Sequence, residues 1–373
     1  MFFDGHNDTL TKHYPPRHLR TGSGAKIRSH SFITGNSKCH MDLPGIKEAG
    51  FQGGIFAVFV DPLPEDGEED QIGSSYLQGH KRQTGPGFPL FEPPIDSSLA
   101  LTASLEVLSH AYQDERAADG QIKIVRTKGD LQTAIDSGSL AMVLHLEGCE
   151  AVDSELRLLE VFWQAGIRSL GLCWSRPNIF GTGVPFAYGM SPDLGPGLSE
   201  AGKRLVRRCH ELGILVDLAH LNAAGFYDAL ALSSKPIAVS HTAAHALCPS
   251  ARNLTDRQLD CLAENGGLAG VTFHVPDLLG PGGECASTVM PGAVLTPLQA
   301  IAAHIKYIGE RIGYEHVALG SDFDGCTVPE EIANVRGLKK LPGELEKLNI
   351  SPENIEKVCS GNWQRILKEI LPD

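Results

Sequence analysis

Residues 2–8 read Phe-Phe-Asp-Gly-His-Asn-Asp, a short apolar run that ends on a histidine and an aspartate two positions apart. A spacing of two sends both side chains to the same side of a strand. Seven further runs end in a similar way. Gly54–Val60 leads to Asp61, Ala141–Leu144 to His145-Leu146-Glu147-Gly148, and Ser169–Cys173 to Trp174-Ser175-Arg176. Ile214–Leu218 leads to Ala219-His220, Ile237–Val239 to Ser240-His241, Leu268–Phe273 to His274, and Val317–Gly320 to Ser321-Asp322. The runs are continuous rather than alternating, which suits strands covered on both faces by helices.

Stretches of helical period separate the runs. Leu198, Ala201, Leu205, Val206, Cys209 and Leu212 line one stripe, and so do Leu298, Ile301, Ala302, Ile305 and Ile308. Thr296-Pro297 reads as an N-cap and first helical residue, and Asp130, Asp153 and Thr255 read as helix openers. Strand and helix alternate about eight times, which favours a closed α/β barrel, the (β/α)8 TIM type, over an open doubly wound sheet. No internal repeat or composition break divides the chain, so one barrel domain over residues 1–373 is expected. Three connections rich in Gly and Pro, at about residues 62–96, 177–197 and 276–296, follow strands and are expected to wall or cover the barrel mouth.

Composition narrows the chemistry. With 42% hydrophobic and 21% charged residues the chain is globular, and its formal charge of -13 disfavours nucleic acid and anionic membrane surfaces as partners. Nine scattered cysteines, odd in number and without a C-x-x-C pair, fit a reducing compartment better than a disulfide framework. No basic-then-apolar leader, membrane-length apolar segment or hydrophobic anchor tail stands out, so a cytoplasmic location is expected.

His6, Asp8, Glu147, His220, His241 and Asp322 all fall at run ends. Each has a plain structural alternative. His-x-Asp is common, Glu147 precedes a turn glycine, and the two later histidines follow apolar runs and can serve as core groups. Ser321-Asp322-Phe323-Asp324-Gly325 can form an Asx-turn or part of a calcium loop, although the remaining calcium-ligand spacing is missing. Six such residues at one kind of position favour a shared site. Imidazole nitrogen and carboxylate oxygen suit divalent zinc, a carboxylate can bridge two ions, and the set is large enough for two.

Together with Leu146-Glu147-Gly148, Val216-Asp217-Leu218-Ala219-His220, Ser240-His241-Thr242, Ser250-Ala251-Arg252-Asn253 and the Ser321–Gly325 segment, the opening stretch resembles the renal (membrane) dipeptidase family of the amidohydrolase superfamily over nearly the whole chain. That resemblance implies a zinc metallopeptidase with two ions per chain. His6 and Asp8 would hold one ion, His220 and His241 the other, and Glu147 would bridge them. It implies that Arg252 receives the carboxylate of a small dipeptide. Asp322 would act as proton carrier beside a hydroxide bridging the metals. L-Xaa-D-Xaa substrates fall within the implied range. Trp174 departs from the family pattern: well-studied members carry a histidine there, whereas an indole offers one N–H and cannot become a cation. Deacetylase, lactonase or deaminase chemistry on the same centre, a non-hydrolytic biosynthetic role, and a homodimer all stay open at this level.

Overall fold

The computed structural model describes residues 1–16, 31–61, 91–289 and 295–373. All eight runs form strands, and a ninth strand joins them. They are β1 (Phe2–Asn7), β2 (Phe51–Phe59), β3 (Ile122–Ile124), β4 (Leu140–Glu147), β5 (Ile167–Gly171), β6 (Leu215–Asp217), β7 (Ala238–Thr242), β8 (Leu268–Val271) and β9 (Val317–Leu319). Every ladder is parallel, in the order β1-β2-β4-β5-β6-β7-β8-β9. The architecture is the expected TIM-type barrel. β3 is the addition: it pairs with Leu140–Met142 of β4, while β5 takes Leu144–Glu147 farther up the same strand.

The ring closes at the upper ends of its first and last strands. Asp322 N–H donates to the His6 carbonyl (2.9 Å), Asp8 N–H donates to the Phe323 carbonyl (2.8 Å), and Asn7 and Phe323 form a parallel bridge. At the opposite end the helix Asn362–Ile370 plugs the barrel. Its Trp363, Ile366, Leu367 and Ile370 pack among Phe3, Ile55, Val143, Leu215, Ala238 and Leu268 from the strands. Trp363 donates its indole N–H to the Leu319 carbonyl (2.7 Å), and its ring fills the place that a Cβ on Gly5 would need. The remaining apolar side chains form a second shell of core between strands and outer helices.

The helices begin where local chemistry starts them. Thr296 caps Pro297–Ile312 with a reciprocal Gln299 bond, and Thr255 caps Asp256–Glu264 with Gln258 in the same way. Ser199 caps Glu200–Leu212, whose buried face carries Leu205, Val206 and Cys209. Asp130 proves to be the third residue of its helix rather than the opener. Thr127 is the cap, and the Asp130 carboxylate accepts the Arg126 and Thr127 N–H groups. Asp153 lies before Arg157–Gln164 and accepts the Leu158 N–H, but Leu156 occupies the cap position.

Of the three long connections, residues 62–90 and 290–294 lie outside the described residues. The segment 177–197 packs against the mouth. Val184 N–H donates to the His220 carbonyl (2.6 Å), Gly183 bridges Leu221, and Tyr188 bridges Ser250.

Candidate metal centre

Glu147 ends β4 with its two carboxylate oxygens turned to different partners. Oε2 lies 3.5 Å from His6 Nε2, while Oε1 lies 3.2 Å from His220 Nε2 and 3.9 Å from His241 Nε2. His6 Nε2 is also 3.5 Å from Asp8 Oδ2, and the Nε2 atoms of His220 and His241 are 2.9 Å apart. The His6 ring stacks on His241 at 4.0 Å. All five residues expected as ligands therefore meet at one place, carried there by β1, β4, β7 and the segment after β6.

Asp322 joins them from the turn after β9, with a ligand-competent oxygen within 4.8 Å of groups on His6 and Asp8. A Cβ on Gly325 would collide with both the Asp8 and Asp322 carboxylates, so glycine leaves the two acids room to face each other. His220, Asp322 and Asp324 hold left-handed backbone (φ 67°, 57° and 68°), unusual for residues with side chains and typical of strained functional sites. Asp324 has another duty. It accepts from His40 N–H (2.6 Å), Met41 N–H (3.3 Å) and the Thr9 hydroxyl (3.0 Å), which ties loops together.

Hydrogen bonds behind the centre orient the rings. His220 Nδ1 meets Ser175 Oγ at 2.8 Å, and His241 Nδ1 meets Ser240 Oγ at 2.9 Å. Ser240 Oγ donates its only proton to Asp217 Oδ2 (2.5 Å), so it accepts from His241 Nδ1–H and leaves a lone pair on His241 Nε2. Asp217 Oδ1 accepts the Ala219 and Ser240 N–H groups at 3.0 and 2.8 Å. His145 bonds Ser169 Oγ (2.9 Å) and stands 3.7 Å from Asp217 Oδ2.

Electrostatics shows an excess of buried acid. Burial, then the Asp8 charge, pushes Asp322 well above the usual carboxylate range, and burial raises Glu147. Burial lowers His6, but the Glu147 and Asp8 carboxylates outweigh it and hold the imidazole well above its ordinary value. Burial and the Arg252 charge hold His220 well below its ordinary value. For His241, burial and the His6 charge do the same. Both ring nitrogens of His6 and Oδ1 of Asp8 are buried without a hydrogen-bond partner. Unsatisfied nitrogen and oxygen lone pairs packed among acids are what divalent cations satisfy, so the residues present fit metal ions.

Arg252, buried after β7, bonds the His241 carbonyl through Nη2 (3.3 Å) while its Nε has no partner. Trp174 is buried at the wall, 5.6 Å from His220, 5.1 Å from Phe59 and 5.6 Å from Phe186. The Arg176 guanidinium lies 5.0 Å over its ring and pairs with Glu150 (2.7 Å). Asp61 follows β2, and burial and the Asp8 charge raise it to about 7. Three other histidines near the mouth are held by hydrogen bonds. His13 bonds Ser31 and the Met41 carbonyl, His245 the Met190 carbonyl, and His274 the Asp277 carboxylate. His18 lies outside the described residues. All nine cysteines are free.

Sequence reasoning assigned nothing to Asp4, Asp217, Ser240 or His145. Their signal was a polar or ionisable side chain inside an otherwise apolar buried strand, where an unpaired polar group is costly.

The sequence profile of the membrane dipeptidase family (peptidase family M19) matches residues 1–371. The chain belongs to the membrane dipeptidase family. It is therefore a metallopeptidase of the kind that hydrolyses dipeptides. A metallo peptidase from Rhodobacter sphaeroides, liganded with a phosphinate mimic of L-Ala-D-Ala, is 38% identical with a TM-score of 0.84, covering 99% of both chains. An uncharacterised protein from Klebsiella pneumoniae is 38% identical over 67% of this chain and 90% of its own length. The dipeptidase tcpJ of Claviceps purpurea is 28% identical over 98% of this chain and 76% of its own. Among the described residues of this membrane dipeptidase relative, no helix is long and apolar enough to cross a membrane.

Proposed function

We propose that the chain hydrolyses dipeptides at a two-zinc centre, for which His6 and Asp8 would hold one ion, His220 and His241 the other, and Glu147, lying between the two sets, would serve both. One observation carries this reading: the oxygens of Glu147 divide between the two donor sets, Oε2 toward His6 and Oε1 toward His220 and His241. The set holds nitrogen and oxygen but no thiolate, which suits zinc and disfavours softer ions. When bound, a zinc pair supplies Lewis acidity toward the scissile carbonyl and an activated water near neutral pH.

The chain's own residues complete the reaction. Arg252, with a partnerless Nε beside the centre, receives the free carboxylate of the substrate through charge-assisted hydrogen bonds. As the water oxygen bonds to the peptide carbon, Asp322 takes the water proton and delivers it to the leaving nitrogen as the C–N bond breaks. Burial and the neighbouring Asp8 charge raise its affinity for a proton, which suits a group that must take one up. Trp174, Phe59 and Phe186 form an apolar wall that keeps bulk water from the reacting carbon. Because the Rhodobacter sphaeroides relative is liganded with a phosphinate mimic of L-Ala-D-Ala, a D-residue at the C-terminal position belongs to the proposed range.

Metal analysis of purified protein together with L-Xaa-L-Xaa and L-Xaa-D-Xaa libraries tests the proposal. Two zinc ions per chain with dipeptide cleavage are expected. A metal-loaded chain inert toward both libraries would overturn it.

A further inference from the structure

We infer that Asp217 and Asp4 are paired positioning residues. Each clamps the serine at a neighbouring strand end and so sets the residue after that serine, Asp217 acting on His241 and Asp4 on Asp322. The inference rests on the proposed roles of His241 as ligand and Asp322 as proton carrier.

The two clamps share one geometry. Asp217 accepts the Ser240 N–H on Oδ1 (2.8 Å) and the Ser240 hydroxyl on Oδ2 (2.5 Å). Asp4 accepts the Ser321 N–H on Oδ1 (2.7 Å) and the Ser321 hydroxyl on Oδ2 (2.7 Å). All four residues are at most 2% exposed, and a carboxylate buried that deeply is costly unless its oxygens are used. Both acids use both oxygens on one serine, which fixes the direction of the Ser240 proton and gives the Ser321 proton its nearer acceptor, the His6 carbonyl lying at 3.3 Å.

The consequences differ at the two places. Ser240, its proton committed to Asp217, can only accept from His241 Nδ1 (2.9 Å). The imidazole proton is thereby held on Nδ1 and the Nε2 lone pair is kept for a cation. Without the clamp the imidazole is free to carry its proton on Nε2, which blocks that lone pair. Ser321 instead accepts the Phe323 N–H (3.1 Å) and braces the turn in which Asp322 takes its left-handed backbone and bonds the His6 carbonyl. No ring nitrogen ends this second chain of bonds. Asp217 therefore governs metal affinity, and Asp4 governs the stance of the proton carrier.

Serine variants test this with the least disturbance to folding. Ser240→Ala should weaken zinc binding by about 10–100-fold in chelator competition. Its turnover should recover in excess zinc, and Ser240→Thr should restore affinity. Nitrogen NMR of the His241 ring should show the Nδ1–H form in metal-free wild type and a mixture in Ser240→Ala. Ser321→Ala should keep wild-type zinc affinity yet lose about 10–100-fold in kcat, with no rescue by zinc. Ser240→Ala with wild-type affinity and an unmixed Nδ1–H ring, or Ser321→Ala that sheds zinc as Ser240→Ala does, overturns the clamps. A wild-type chain that takes up no zinc overturns the ligand reading beneath them.

Discussion

Asp322 and Arg252 carry opposite charges beside the same donor cluster, and each gives a distinct kinetic signature. Asp322→Asn keeps the size of the side chain but removes its capacity to accept a proton. Its kcat should fall by about 10²–10⁴ with zinc content unchanged, and near-normal turnover in single-turnover kinetics would dismiss the role. Arg252→Ala removes a hydrogen-bonding cation from a buried position. Substrate affinity should drop by about 10–100-fold, read as KM for free dipeptides, because charge-assisted hydrogen bonds contribute about 1.5–3 kcal/mol. An unchanged KM would remove Arg252 from the binding site. At this scale the sequence was informative where a metal-competent residue interrupts an apolar run, as at His6, Glu147, His220 and His241. It was silent on Asp217 and Asp4, because their task depends on a serine in another strand and no local pattern records which acid faces which hydroxyl.

The strands were legible because burial on both faces imposes continuous apolar runs. β3 was not, since its three residues alternate Ile-Lys-Ile and Lys123 is only partly buried. Helix openings were read within a turn, and the errors at Asp130 and Asp153 arose because an acid in or just before the first turn also satisfies free N–H groups. One strand end carries a strict demand on size. A Cβ at Gly320 would collide with the Ser240 carbonyl, and one at Gly270 would meet the same oxygen. Gly320→Ala should cost about 1–3 kcal/mol in urea unfolding, the usual range for overpacking a tight interior. It should also weaken zinc binding, because Ser240 and Ser321 flank the clash. Wild-type stability would show that β7 and β9 can move apart freely.

Across the whole molecule, acid should loosen the fold before it titrates the surface. His304, buried in the helix Pro297–Ile312, accepts the Ala244 N–H on Nδ1 (3.0 Å) and donates from Nε2 to the Leu278 carbonyl (3.0 Å). Burial lowers its pKa to about 4 from an ordinary 6.5. Above pH 7 the ring is neutral folded or unfolded. As the pH falls through 6.5 the unfolded chain takes up a proton that the folded chain refuses, so stability drops until about pH 4. Between pH 7 and 5 this one ring should remove about 2 kcal/mol. His304→Gln should flatten that part of the stability profile, and equal slopes in metal-free wild type and variant would contradict the assignment.

The two backbone bonds between Asp8 and Phe323 and between Asp322 and His6 act as a latch. β1, which carries His6 and leads to Asp8, pairs with β2 along one edge, and its other edge gains these partners only from the turn after β9. A chain stalled short of residue 317 carries all five proposed ligands yet lacks the bonds that hold the upper end of β1 from its far side, and it should bind metal ions less tightly than the finished ring. Metal uptake during synthesis should then report completion of the ring.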